Sequence, residues 1–298
     1  MHFHAVIPAW GERCVAMARQ YVIPSVKAAI QYAGADVRLI IYSDRELSLD
    51  GIDGEYRSLT PPSSANPVIN LQGALRNLHH WTIAEAPPGS AAVLFNADTV
   101  VSREFFSFAA EALARGRKVV AATALRALIG PRPPSSPPIG AVAADLLEWA
   151  WNNRHPIAED CVLGRGRTTF PNTVILDRGP NVVLHSVHLH PFCIVNDGRV
   201  LKFKGTIDDD LLAAYSDDEV GYIANGEVGF AELSPPGFKS DQYGSGPRMS
   251  VQSVVEFGRN SKWMPCHIRN FRQPIAIRGV GDWSHPYIEQ IVQSVAKK

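Results

Sequence analysis

The stretch Val37-Arg38-Leu39-Ile40-Ile41-Tyr42 decides the fold class. It is an almost continuous apolar run of strand length, the pattern of a parallel strand covered on both faces rather than a half-exposed one. Before it, Ala33-Gly34 closes a helical pattern over 12–32, in which Val15, Ala18, Val22, Val26 and Ile30 recur at roughly helical spacing. Pro24 lies inside that pattern and is expected to kink or split the helix. Earlier still, His2 to Pro8 reads as a strand, so strand, helix and strand within the first 44 residues make a βαβ unit.

The alternation continues downstream. Glu55 to Leu59 reads as a short strand, and Asn70 to Ala86 as a helix stopped by Pro87-Pro88-Gly89. Ala91 to Phe95 is a strand, Arg103 to Arg115 a helix and Lys118 to Thr123 a strand. The expected fold is therefore α/β: a Rossmann-like, doubly wound, mostly parallel sheet with helices on both faces. Gly130 to Pro138 is too rich in proline for a sheet ladder and is expected to be an extended, exposed loop. Beyond it the pattern gives a helix over Gly140 to Asn153 and short strands at Thr173 to Leu176, Val182 to Leu184 and His188 to Val195. Helices at Val251 to Phe257 and after Pro286 close the chain. The expected partition is a nucleotide-binding half over 1–126, a loop over 127–140, a second half of the same domain over 141–232, and a smaller mixed C-terminal part over 233–298.

Composition narrows the partners. The 298 residues carry 29 Lys+Arg against 29 Asp+Glu, so the formal net charge is zero and no basic stripe advertises nucleic acid. A polybasic membrane tether is absent as well. Hydrophobic residues make up 46% of the chain, enough for a sizeable core without disulfides or a structural metal. Cys14, Cys161, Cys193 and Cys266 show no CxxC spacing and read as reduced thiols of a cytoplasmic protein. The opening residues lack the charged start and long apolar core of an export signal, and no stretch of 18 apolar residues occurs. The expected location is cytoplasmic, with peripheral contact at the inner membrane face left open.

Three strings carry chemistry. In Val93-Leu94-Phe95-Asn96-Ala97-Asp98-Thr99 an apolar strand ends abruptly in a polar turn, at the carboxyl edge where open α/β sheets bind ligands. Asp98 and the Asn96 amide oxygen suit a hard cation, Mg²⁺ or Mn²⁺, that is completed by substrate phosphates. The same string is equally consistent with Asp98 capping the helix near Arg103. In His185-Ser186-Val187-His188-Leu189-His190-Pro191, alternation along a strand would set three imidazoles in one row, and imidazole is a common ligand for Mn²⁺ or Zn²⁺. Each histidine alone would more often be a satisfied core residue. In Lys204-Gly205-Thr206-Ile207-Asp208-Asp209-Asp210, repulsion among adjacent acids raises the pKa of at least one, as a general base requires. The alternative there is a solvated helix start ahead of Leu211-Leu212. His2-Phe3-His4 has metal-ligand spacing but falls on the edge opposite the expected site.

Taken together, these residues resemble the nucleotide-sugar glycosyltransferases of the GT-A fold, and more closely bacterial glycosyltransferase-like proteins of unassigned activity. The resemblance runs through Val6-Ile7-Pro8-Ala9-Trp10-Gly11-Glu12, Ile23-Pro24-Ser25, Ile41-Tyr42-Ser43-Asp44, Asn96-Ala97-Asp98 with Ser102, His188-Leu189-His190-Pro191 and Gly205-Thr206-Ile207-Asp208, covering about residues 3 to 232. It implies that Pro8, Ala9, Trp10, Gly11 and Asp44 hold the nucleoside, and that Arg76, with Asn77 beside it, meets the diphosphate. It maps the family's metal-binding Asp-x-Asp to Asn96-Ala97-Asp98. Asn96 departs from that pattern by one negative charge; because some family members use a late histidine as a metal ligand, the resemblance implies that His188 or His190 supplies the further ligand.

The expected activity is transfer of a sugar from a UDP- or GDP-linked donor to a hydroxyl of a glycan, lipid or small-molecule acceptor, assisted by Mn²⁺ or Mg²⁺. Asp208 is the expected base, with Asp209 beside it. The alternatives are a non-catalytic nucleotide-sugar binder and a metal-dependent hydrolase built on the histidine row. A sugar nucleotidyltransferase should open with a Gly-rich phosphate loop, and Pro8-Ala9-Trp10-Gly11 is not one.

Overall fold

The computed structural model describes residues 1–49, 51–60, 67–129, 136–201, 211–224, 226–236, 243–279 and 285–297. The chain forms two compact units, one of Met1–Ala122, Ile139–Val142 and His190–Tyr222, the other of Thr123–Pro138, Ala143–Leu189 and Ile223–Lys298. These are not consecutive stretches, and the division departs from the linear partition at 126, 140 and 232. The 141–232 segment expected to stay in one domain is shared between the units.

In chain order the first unit supplies β1 (His2–Ala9), α1 (Gly11–Met17), α2 (Ile23–Ala33), β2 (Asp36–Ser43), β3 (Gly54–Ser58), α3 (Pro67–Glu85), β4 (Ala91–Leu94), β5 (Thr99–Val101), α4 (Phe105–Ala114) and β6 (Val119–Ala122). The second supplies β7 (Leu125–Leu128), α5 (Ala143–Asn152), α6 (Pro156–Asp160), β8 (Arg167–Thr168), β9 (Thr173–Arg178) and β10 (Asn181–Ser186). The chain then returns to the first unit for β11 (His190–Val195) and β12 (Val220–Tyr222). It ends in the second with β13 (Phe230–Ser234), β14 (Tyr243–Arg248), α7 (Val251–Asn260), α8 (Pro265–Arg272), β15 (Ile275–Arg278) and α9 (Pro286–Ala296).

The first unit is built on a seven-stranded sheet of order β12-β6-β11-β4-β1-β2-β3. β1 runs parallel to both neighbours, with Val6 opposite Ile40 of β2 and Leu94 of β4. Residues Phe3 to Ala9 are buried without a break, so both faces of β1 are covered, as the apolar runs require. The one reversed strand is β11, antiparallel to β4 and β6. It enters at the carboxyl edge, where His190 pairs with Ala122. Its register shifts between Pro191 and Cys193, where proline has no amide to give the ladder.

The helix after β1 divides as Pro24 predicts. α1 ends at Met17, Ala18–Val22 widen into a π-turn, and α2 begins with Pro24 in its first turn. The buried Ser25 hydroxyl donates to the Val22 carbonyl (2.8 Å) and accepts from the Val101 amide (3.4 Å), fixing β5 against this break. A nest of rings fills the interior. Phe105 lies edge-on to Phe106, Phe95 and Phe192 at centroid distances of 5.0, 5.4 and 6.4 Å, and Phe106 meets Phe3 at 5.3 Å.

The second unit holds an antiparallel sheet, β15-β10-β9, and the parallel pair β7–β13. Val174, Val187, Met249, Val254, Phe271 and Ile291 share its core. The expected strand from His188 to Val195 forms as β11, but it starts at His190 rather than at His188. The Ser186 hydroxyl accepts from the His188 amide (3.3 Å) and lies 3.1 Å from the His188 carbonyl, so a side chain occupies the groups that a ladder would use. His185 consequently ends up in β10, His188 in the connector and His190 at the head of β11 in the first unit. The single histidine row is absent, and with it the geometric basis of the hydrolase reading.

Two predictions follow from these packing arrangements. Phe105→Ala opens a cavity beside the rings of Phe95, Phe106 and Phe192 and should cost about 3–5 kcal/mol, read as a lower urea midpoint; a loss under about 1 kcal/mol would mean that the ring nest does not hold the unit together. The second concerns His185, whose Nδ1 lies 2.9 Å from the Phe271 carbonyl and whose pKa burial lowers to about 4. The unfolded chain takes up that proton first, so stability is complete above about pH 7 and falls as pH drops from the ordinary histidine value towards 4, by on the order of 3 kcal/mol. His185→Asn should flatten this slope, and an unchanged slope would assign it to other groups.

Candidate functional site

Chain order fixes where the first unit can bind a ligand. From β1 the sheet is built outward through β2 and β3 on one side, and then resumes with β4 on the other. The gap between the carboxyl ends of β1 and β4 is therefore a topological switch point, where the loops diverge and leave a crevice. Trp10 and Gly11 leave β1 at that point, and Phe95 to Asp98 leave β4. Phe95 continues the ladder for one bond, its amide donating to the Val6 carbonyl at 3.0 Å.

The chain turns immediately afterwards. The Thr99 amide donates to the Asn96 carbonyl (3.2 Å), so Asn96-Ala97-Asp98-Thr99 is a β-turn with Asp98 at its third position. Ala97 is buried beneath it, while Asn96 and Asp98 are half-buried. Asp98 does not cap the following helix: α4 takes Glu104 as its N-cap, with no side-chain hydrogen bond.

Asp44, at the end of β2, turns towards the same edge. Its Oδ2 accepts from the Gly11 amide at 3.1 Å, and Gly11 has the positive φ of 75° that favours glycine. This bond ties the exit of β2 to the exit of β1. Two acceptor atoms remain over: Asp44 Oδ1 and Asn96 Oδ1 are both buried without a hydrogen-bond partner among the described residues. A buried acceptor without a donor is costly, and at the mouth of a crevice it calls for a ligand hydroxyl, a cation or water.

Cys14 reports the charge around this edge. Burial raises its thiol pKa, and negative Asp98 and Asp44 raise it further, against the opposing effect of Arg13. The thiol on α1 therefore lies in the field of both carboxylates, which come from the ends of β4 and β2. Neither Cys14 nor Arg13 carries a sequence signal, since one helical cysteine beside an arginine is patternless until topology sets it at the switch point.

The other expected site residues fall as follows. Pro8 and Ala9 are buried residues of β1 rather than loop, leaving Trp10 and Gly11 to form the turn. His190 stands at the edge, its Nε2 3.0 Å from the Leu94 carbonyl. A carbonyl only accepts, so Nε2 is the donor and this bond braces the end of β4 immediately before Asn96. His188 belongs to the second unit, 5.4 Å from His267 between ring centroids. Asn77 is exposed on α3; Arg76 lies on the same helix, with its side chain outside the described residues, as are Asp208 and Asp209. His2 pairs with Asp36 (2.7 Å) at the opposite, amino edge.

Among the described residues no three His, Cys, Asp or Glu side chains are placed to hold a metal ion. The edge does fit a divalent cation of the kind that brings its own ligands. Asp98 and the unpartnered Asn96 oxygen are hard donors, and Mg²⁺ or Mn²⁺ in phosphate chemistry commonly takes one or two carboxylates plus substrate oxygens. No helix among the described residues is long and apolar enough to cross a membrane.

No family model and no curated protein matches the chain. Among solved structures, residues 1–349 of TarS from S. aureus in complex with UDP-GlcNAc align with a TM-score of 0.37 at 11% identity, over 99% of this chain and 72% of that one. A putative glucose-1-phosphate thymidylyltransferase from Bacillus anthracis in complex with a sucrose aligns with a TM-score of 0.28 at 13% identity, over 42% of this chain and 55% of that one. Both are distant likenesses.

The charge field around Cys14 is open to measurement. Cys161, Cys193 and Cys266 are buried, so iodoacetamide should modify Cys14 first in the native protein. Asp98→Asn removes one of the charges that hold the thiol protonated and should speed this reaction severalfold at pH 7.5. An unchanged rate would separate Cys14 from Asp98.

Proposed function

We propose that the protein is a glycosyltransferase of the GT-A kind that uses a nucleoside diphosphate-linked sugar, UDP- or GDP-linked, as donor. The observation that carries this reading is the meeting of Trp10-Gly11, Asp44 and the Asn96–Asp98 turn at one switch point, with two buried acceptor oxygens left over. In dinucleotide-binding α/β folds an acid placed after the second strand binds ribose hydroxyls, and Asp44 stands in that relation to the Gly11 turn. Its Oδ1 would accept from a ribose hydroxyl while Oδ2 stays on the Gly11 amide.

Asp98 and Asn96 would hold the Mn²⁺ or Mg²⁺. When bound, such an ion offsets the negative charge that builds on the departing diphosphate. His190 serves this site through Leu94, holding the β4 exit in register, rather than through a row of histidine ligands. Arg76, with Asn77, is proposed to face the diphosphate. The proton leaving the acceptor hydroxyl as the sugar is transferred would pass to the Asp208 carboxylate, with Asp209 beside it. Retention of configuration would leave Asp208 to orient the sugar. The acceptor, a glycan, lipid or small molecule, is a proposal of class only. A non-catalytic nucleotide-sugar binder is the second reading, favoured by one fact: Asn96 gives the turn one carboxylate fewer than an Asp-x-Asp pair.

Calorimetric titration with UDP and GDP in the presence of Mn²⁺ tests the reading. Asp44→Ala and Asp98→Ala should each weaken binding about 10- to 100-fold, the loss of a bond involving a charged group. Affinity equal to wild type in both variants would reject the site. Donor hydrolysis or transfer that disappears in Asp208→Asn while binding persists would distinguish the enzyme from the binder, and turnover unchanged in that variant would remove Asp208 as base.

A further inference from the structure

The amino edge of the same sheet carries a histidine pair that the switch point does not use. His2 and His4 are two residues apart in β1, so both side chains leave the same face of the sheet. Their rings meet edge-on, with centroids 4.7 Å apart. On the neighbouring strand Asp36 is in register with His2, and its Oδ2 lies 2.7 Å from His2 Nδ1. A carboxylate only accepts, so in the neutral ring Nδ1 carries the hydrogen and the lone pair is on Nε2. His2 is half-buried at the rim. His4 lies deeper, 9% exposed, and its Nε2 is buried without a hydrogen-bond partner among the described residues. Burial lowers the His4 pKa, which keeps this ring neutral at pH 7.

An imidazole held through Nδ1 by a carboxylate, with Nε2 unspent, is the arrangement in which histidine binds transition metals, because the carboxylate orients the ring and makes the other nitrogen more basic. Two imidazole nitrogens on one tetrahedral zinc, each about 2.0–2.1 Å from it, are roughly 3.4 Å apart. Rings with centroids 4.7 Å apart are within side-chain rotation of that spacing. The guanidinium nearest in register, Arg38 opposite His4, is drawn to Glu55 of β3 (3.2 Å), on the side away from β1. We infer that His2 and His4 form a site for a divalent transition metal of the Zn²⁺ class, with Asp36 as the residue that positions His2. Two protein donors leave the remaining positions to water, in accord with the absence of a three-ligand cluster among the described residues. Nitrogen donors set this site apart from the opposite edge, where the oxygens of Asp98 and Asn96 suit Mg²⁺ or Mn²⁺. The inference stands independently of the glycosyltransferase reading.

The test is calorimetric titration of Zn²⁺ into the untagged full chain in the presence of excess Mg²⁺, which occupies oxygen sites. His2→Ala and His4→Gln should each weaken zinc binding at least about 10-fold, and Asp36→Asn about 10- to 100-fold, the effect of losing a partner that orients a ligand. Asp98→Ala should leave zinc affinity within error of wild type. His2 is at the rim, so His2→Ala keeps the core intact and gives an answer even where His4→Gln fails to fold. Long-range ¹H–¹⁵N spectra supply a second readout: zinc should shift the Nε2 resonances of His2 and His4 ahead of those of other histidines. Absence of zinc binding in the wild type, or unchanged affinity in His2→Ala, overturns the inference. Zinc binding lost in Asp98→Ala and kept in His2→Ala would assign the ion to the opposite edge and overturn it equally.

Discussion

The central place of β1 between two parallel neighbours is the constraint on which the site depends. Val6 faces Ile40 on one side and Leu94 on the other, and the ladder holds both partners in register to their carboxyl ends. Because β2 and β4 leave the same edge on opposite sides of β1, their loops part at the place where open α/β sheets bind ligands. A turn at β4 and an acid at β2 would be unremarkable surface features elsewhere. Beside β1 they converge. The Gly11–Asp44 bond closes that arrangement, and glycine is needed because the backbone turns with positive φ as it leaves the strand.

The site proposed at this edge follows from what the core leaves unsatisfied. The rings of Phe3, Phe95, Phe105, Phe106 and Phe192 make the interior beneath the edge rigid and apolar. At this edge Asp44 Oδ1 and Asn96 Oδ1 stay buried without a hydrogen-bond partner among the described residues. His190 contributes in the same way, because the reversed strand β11 starts where β4 ends and spends its imidazole donor on the Leu94 carbonyl. The neutrality of the whole chain fits this economy of charge. A divalent ion and a few guanidinium groups are enough for a small diphosphate, whereas a polynucleotide would need a basic surface.

Much of the sheet was legible in the sequence because its strands are short apolar runs bounded by glycine, proline or a burst of polarity. Val37 to Tyr42 and Ala91 to Leu94 carry that signature without ambiguity. The polar turn after Phe95 was legible for the same reason. Elements stabilised by partners distant in sequence were not. α8 reads as a proline- and aromatic-rich segment, yet it is held by residues far earlier in the chain: the Asn270 side chain donates to the Val187 carbonyl (3.1 Å), His185 Nδ1 lies 2.9 Å from the Phe271 carbonyl, and the Phe271 ring is buried in the second unit's core. The histidine row misled because alternation was read across Ser186, whose hydroxyl ends the strand. Cys14 had no pattern to find, as its meaning comes from which strand ends lie next to α1.

The most direct measurement of the central claim, that a nucleoside diphosphate occupies the crevice between the exits of β1 and β4, is the rate at which iodoacetamide alkylates Cys14 with and without saturating UDP or GDP and Mn²⁺. The account predicts marked slowing by the nucleotide that binds, with no protection from ribose 5-phosphate at the same concentration. A nucleotide that binds by calorimetry yet leaves the Cys14 rate unchanged would contradict it, because the ligand would then sit elsewhere on the molecule.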